Sequence, residues 1–142
     1  MAMMSWLFSA CAAEPPQNLG AKDGILAVCP SSPNCVSSQA TDERHRIAPL
    51  SYFDDPDSAF ARLKNVLKDR RDSTIVESTE NYIRAELRTI FFVDDVEFLL
   101  DRESRLVQIR SASRLGYSDL GKNRSRMEAI RSAFERTVIK GK

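Results

Sequence analysis

The run VDDVEFLLDRESRLVQIRSAS, Val93 to Ser113, decides the fold. Val96, Phe98 and Leu100 alternate with Asp95, Glu97 and Leu99, the period of two that marks a strand with one buried face. Asp101 to Arg105 is a polar connection. The chain then returns with Val107, Ile109, Ser111 and Ser113 on one face and Gln108, Arg110, Ala112 and Arg114 on the other. With the two apolar sets on a shared face, parity puts Asp95 and Glu97 on the side of Arg110, whatever the register. Asp94 falls on the opposite side from both, so the three carboxylates form no single cluster in a regular strand.

The pattern continues upstream. Ile83, Ala85 and Leu87 alternate with Arg84, Glu86 and Arg88, a third half-buried strand, and β-branched Thr74 to Ser78 supplies a fourth across a turn at Glu80-Asn81. Ile90 to Val93 is apolar throughout and reads as a turn into the core or the start of the next strand. Asp55-Pro56-Asp57-Ser58 announces a helix: Asp55 can cap, Pro suits the first helical position and Asp57 complements the dipole. Phe60, Leu63, Val66 and Leu67 follow as its apolar stripe, which ends near Lys68 to Arg71. Downstream, Gly116 and Ser118 to Gly121 break the strand pattern, and a last helix is predicted from near Asn123 or Ser125. Ser125 and Glu128 stand at capping-box spacing there, with Met127, Ile130, Phe134 and Val138 as the buried stripe. The reading is an α+β fold: a two-layer domain with a four-stranded antiparallel sheet and two helices packed on one face. An irregular N-terminal arm, residues 18–54, precedes this helix–sheet–helix core of residues 55–139. The arm is rich in Pro, Ser, Asn and Asp and is expected to lie across the domain.

A chain of 142 residues suits one domain, 18–142, behind a leader or tether, 1–17. The formal net charge of +1 excludes a general nucleic-acid footprint, so an anion site must be local. No apolar run approaches the roughly 20 residues that span a bilayer. Phe8-Ser9-Ala10-Cys11 is similar to the small-residue box before a lipidated cysteine, which makes Cys11 a lipidation candidate and would tie the protein to a membrane only through a lipid anchor. No Lys or Arg precedes that segment, so a frayed arm is the competing reading. Of three cysteines, Cys29 and Cys35 flank the loop-forming run Pro-Ser-Ser-Pro-Asn and can close a small disulfide, leaving Cys11 as the odd one. That pairing points to an oxidising compartment, the cell envelope or periplasm; two free thiols in a cytoplasmic protein is the alternative. His45 is the single histidine, too few for a Cys/His zinc site, and no metal or cofactor is expected.

Chemistry-bearing residues crowd the end of the last strand, the Gly-containing loop and the helix start. Arg110, Ser111, Ser113, Arg114, Tyr117, Ser118, Asp119, Asn123 and Arg124 are the candidate ligand contacts, because forked guanidinium donors and a helix N-terminus favour carboxylate or phosphate. Asp95, Glu97 and His45 are candidate supports. The blander reading of Arg84, Glu86, Arg88, Asp95, Glu97, Arg110 and Arg114 is a solvated ion-pair ladder on an open sheet face. The leading functional expectation is a non-catalytic envelope protein that binds an anionic small molecule or a protein partner in a groove between the arm and the Arg110 to Arg124 region. The alternative is a hydrolase of phosphate or acyl esters, with Ser111 or Ser113 as nucleophile and His45 as base, or with a metal held by carboxylates among Asp94, Asp95, Glu97 and Asp119. In a third reading these residues only pin the arm to the sheet.

Cys29-Pro-Ser-Ser-Pro-Asn-Cys35-Val-Ser-Ser38, His45-Arg-Ile-Ala-Pro-Leu50, Val93-Asp-Asp-Val-Glu-Phe98 and Arg110-Ser-Ala-Ser-Arg-Leu-Gly-Tyr-Ser-Asp-Leu-Gly121 with Asn123-Arg124 occur in that order. Together they resemble the signatures of the family catalogued as domain of unknown function 1499, over about Cys29 to Arg131. Leu115 and Lys122 stand where that family commonly has Val. The resemblance implies bacterial proteins, often with envelope-type leaders, and relatives in photosynthetic eukaryotes. It implies no activity, but it places the Cys loop, His45, the acidic strand and the Arg-Ser loop in one signature.

Overall fold

The computed structural model describes residues 14–139; Cys11 lies outside them. The elements run β1 (Ala21–Lys22), β2 (Ile25–Leu26), β3 (Cys35–Ser37), β4 (Leu50–Ser51), α1 (Pro56–Lys68), β5 (Ser73–Ser78), β6 (Tyr82–Arg88), β7 (Val93–Asp101), β8 (Leu106–Ser113) and α2 (Lys122–Ile139). The alternating segments β5 to β8 form an antiparallel meander in spatial order 8-7-6-5. Ile83, Ala85, Leu87, Val96, Phe98, Val107 and Ile109 turn to one side, where they meet Leu63, Leu67, Met127, Ile130 and Phe134 of the two helices in the main core. The α+β architecture with two helices is thus as read from the sequence.

The main sheet has six strands, not four. The two extra strands come from the arm: β3 pairs antiparallel with β8 through Cys35↔Ala112, Val36↔Ser111 and Ser37↔Arg110, and β4 through Leu50↔Val107 and Ser51↔Leu106. With only two or three residues each, they are too short to show a period. They form because β8 would otherwise carry a bare edge of unpaired backbone groups. β1 and β2 make a separate two-stranded hairpin.

The helices obey local rules, with two corrections. Asp55 accepts a hydrogen bond from the Ser58 amide ahead of Pro56, and Ala59, Phe60, Leu63, Val66 and Leu67 are buried. α2 begins at Lys122, beside Asn123, the earlier of the two predicted starts, and before a Ser125 cap would allow. Its cap is Asp119, which accepts from the amides of Gly121 (2.8 Å) and Asn123 (2.9 Å), whereas the Ser125 hydroxyl bonds back to the Lys122 carbonyl within the helix. Val138, assigned by spacing to the buried stripe, is half exposed. Ile90 and Phe91 form the exposed tip of the β6–β7 hairpin rather than entering the core.

Candidate functional site

Parity places Tyr82, Arg84, Glu86, Asp95, Glu97, Arg110 and Arg114 on the face of the sheet away from the helices, and the register sets Glu97 opposite both Arg84 and Arg110. This face is not the open, solvated ladder of the blander reading. Asp95, Glu97 and Arg110 are each less than 4 % exposed, because the arm closes over them. Covering charged groups is costly unless every one is paired, and the pairing here is dense.

Glu97 is the centre. Its Oε1 accepts from the Tyr82 hydroxyl (2.7 Å) and from the Gly20 amide of the arm (2.8 Å), and its Oε2 accepts from Arg110 Nη1 (3.2 Å). Burial, reinforced by the bond to Glu97 and its charge, raises the Tyr82 hydroxyl far above its ordinary pKa, so it stays a donor. Asp95, placed by parity on the side of Arg110, makes no ion pair with it among the described residues. It receives Arg114 through Nε and Nη2 (both 2.9 Å) and Arg84 at 3.4 Å. Arg114 Nη2 also reaches Glu86 at 2.7 Å; the bonds to Asp95, against burial, hold its pKa above the usual guanidinium value.

The loop residues singled out for ligand binding are largely engaged with one another. Asn123, fully buried, donates from Nδ2 to Ser113 Oγ (2.8 Å) and Asp119 Oδ2 (2.6 Å), with the Asn34 carbonyl sharing a donor at 3.2 Å, while its Oδ1 accepts from Ser111 Oγ (2.5 Å). Burial alone would raise the Asp119 carboxyl, but hydrogen bonds from Asn123 and Gly121 outweigh it and leave its pKa lowered. Asn34, inside the Cys loop, returns the contact by donating to the Gly116 carbonyl at 2.8 Å. Arg124 donates to the carbonyls of Arg46 (2.7 Å) and Arg44 (3.1 Å), and so fastens the arm instead of facing outward. Ser118 accepts from the Leu120 amide (3.3 Å), and Tyr117 is exposed.

The Cys29–Cys35 disulfide is formed, with Sγ atoms 2.03 Å apart. His45 is buried against the loop it closes: Nδ1 lies 2.7 Å from Asp42 Oδ2 and Nε2 lies 2.9 Å from the Ser32 carbonyl. Both ring nitrogens are therefore committed to acceptors, and neither Ser111 nor Ser113 is among its partners. Among the described residues no three His, Cys, Asp or Glu side chains gather where they could hold a metal ion. No helix of the described residues is long and apolar enough to cross a membrane.

An open space lies on this side of the sheet. A groove of about 420 Å³ runs between Pro16, Asn18, Leu19, Val28 and Pro30 of the arm and Asp95, Arg110, Ala112, Ser113 and Arg114 of the sheet. Arg110 lines it with Nε buried and without a hydrogen-bond partner among the described residues. Sequence reasoning reached Arg110 but missed Tyr82, Gly20 and Asn34. The period of two does place Tyr82 beside Arg84 on the polar face; no pattern reports Gly20 or Asn34, whose roles depend on the path of the arm. It reached Asp94 only as a possible metal ligand and missed Arg126, which pairs with it, although a carboxylate falling on the apolar side by parity is itself a signal.

No curated protein and no solved structure matches the chain. The family described as Protein of unknown function (DUF1499) matches residues 25–134, from the arm hairpin through Phe134 of α2. That span contains the disulfide loop, the buried charge face and the Asn123 network, and the chain belongs to the DUF1499 family.

Proposed function

We propose that this chain is a non-catalytic binding protein of the cell envelope, taking the carboxylate or phosphate of an anionic small molecule in the groove between the arm and the sheet. The observation that carries this reading is the donor surplus at Arg110. A guanidinium offers five N–H donors in a rigid fork. Glu97 accepts from Nη1, but its other oxygen is taken by Tyr82 and Gly20, and Arg110 Nε, beside the groove, is left buried and without a partner among the described residues. An unmet buried donor of this kind costs about 1–3 kcal/mol, which an entering anion would relieve. Asp95 and Glu97 are spent on the protein's own cations and amides, so they shape the groove with little net repulsion. The disulfide is compatible with the oxidising compartment of the envelope, and Cys11 is the proposed attachment point for a lipid.

Thermal unfolding in the presence of inorganic phosphate or malonate tests this. A ligand that binds only the folded state raises its stability by RT ln(1 + [L]/Kd), about 2.7 kcal/mol at a hundredfold excess over Kd. The wild type should gain stability with either anion, and Arg110→Lys, which keeps the charge but loses the Nε donor, should gain much less. Equal gains in both proteins, or none in either beyond a matched chloride control, would defeat the proposal.

A further inference from the structure

On the opposite side of the sheet, next to where Asn34 of the disulfide loop meets Ser113 and Gly116, a second pocket of about 260 Å³ lies between the β6–β7 hairpin, the β8–α2 loop and the first turns of α2. We infer that it is a binding site for a neutral single-chain amphiphile whose hydroxyl head donates to Asp94 and whose short chain rests on Phe92, Leu115 and Leu120.

The floor supplies the head-group chemistry. Asp94 is the one acid that parity sends to the helix side, alongside Val96 and Phe98, and its side chain is 3 % exposed. Arg126, four residues before the core residue Ile130, pairs with Asp94 Oδ2. Asp94 Oδ1 is buried with no hydrogen-bond partner among the described residues. A buried acceptor left unmet calls for a donor, and because Arg126 already balances the charge, that donor need carry none. Asp94 and Asp119 line the pocket together with Lys122 and Arg126, so its charges balance, and a carboxylate head would bring no donor for Asp94 Oδ1.

The rim supplies the apolar half. Leu115 and Leu120 are 58 % and 92 % exposed and Phe92 45 %, an arrangement with no stabilising purpose for the fold itself. Leu120 also sits at φ +55°, a left-handed conformation rare for a large side chain. The volume is just under the range of about 300–1,000 Å³ usual for small-molecule sites, so the occupant is smaller than a typical drug-sized ligand.

The test is a ¹⁵N-amide titration of the whole protein with 1-octanol, with 1-methoxyheptane of equal size but no donor, and with octanoate. Saturable shifts confined to the Phe92 hairpin, Ser113 and the 115–122 loop are expected with octanol, and affinity about tenfold or more weaker for the ether and for octanoate. Leu120→Gly, which suits the left-handed backbone, should unfold no earlier than the wild type yet bind octanol several-fold more weakly. The inference is overturned if no probe gives saturable shifts there, if the ether or octanoate binds as well as octanol, or if Leu120→Gly binds octanol undiminished.

Discussion

Replacing Glu97 by Gln changes no volume and isolates the charge on which the buried face depends. The wild-type carboxylate accepts three hydrogen bonds, from Tyr82, Gly20 and Arg110. The amide oxygen of Gln can keep the first two, but its NH₂ would then face Arg110 Nη1, donor against donor. The loss is one charge-assisted bond, worth about 1.5–3 kcal/mol, together with an Arg110 side chain that stays buried and is now uncompensated. Removing one partner of a buried pair costs about 3–5 kcal/mol in total. For a chain of this size that corresponds to a fall in Tm of roughly 10–15 °C. Differential scanning calorimetry of Glu97→Gln, Arg110→Met and the double variant closes the cycle. The double variant, with both charges gone, should be less destabilised than the sum of the singles by about 1–3 kcal/mol. A fall of less than about 2 °C in Glu97→Gln, or strict additivity, would show that the buried pair is not formed.

Other expectations follow from the same contacts. Asn123→Ala removes the partner of Ser111, Ser113 and the Asn34 carbonyl in a fully buried position, and should lower stability by about 2–4 kcal/mol, read as a drop in the urea midpoint with an unchanged slope. Reducing the Cys29–Cys35 bridge opens a loop with a sequence separation of 6, which the chain-entropy relation puts at about 2 kcal/mol; the Cys29→Ser/Cys35→Ser protein should match the reduced wild type in a urea titration. Glu86 has its pKa lowered from 4.5 by Arg114 and Arg88, whose bonds and charges outweigh the opposing effect of burial, and Asp119 is lowered from 3.8. A depressed folded pKa means that the unfolded chain binds more protons in acid, so stability is fully present above about 4.5 and is lost as pH falls through the folded values. Urea midpoints should drop between pH 5 and 3, and Glu86→Gln should flatten part of that drop; a pH-independent midpoint would contradict both assignments.

Much of this fold was legible because its central strands are long enough to display a period. Seven to nine residues of alternation in β6 to β8 fix which side each charge takes, and parity alone separated Asp94 from Asp95 and Glu97. Length also explains what was hidden. β3 and β4 have two or three residues in a Pro- and Ser-rich arm, and their pairing reflects the free edge of β8 rather than their own composition. The polar face read as solvated because its cover, the segment around Gly20 and the Cys loop, contributes backbone amides and carbonyls, and backbone groups leave no mark in a sequence. The same holds for Arg124, whose partners are the carbonyls of Arg44 and Arg46. Side-chain types announced a capacity for recognising anions, but the geometry spends most of that capacity within the protein and leaves Arg110 Nε without a partner among the described residues.

Arginine Nε–H resonances can be followed individually by ¹⁵N NMR, and the one belonging to Arg110 tests the anion-binding groove most directly. It should exchange slowly with solvent in the free protein and shift saturably on titration with inorganic phosphate, with the Arg114 resonance, already bonded to Asp95, moving far less. An Arg110 Nε–H that exchanges at the rate of an exposed side chain, or that does not respond to phosphate while the protein remains folded, would contradict the account.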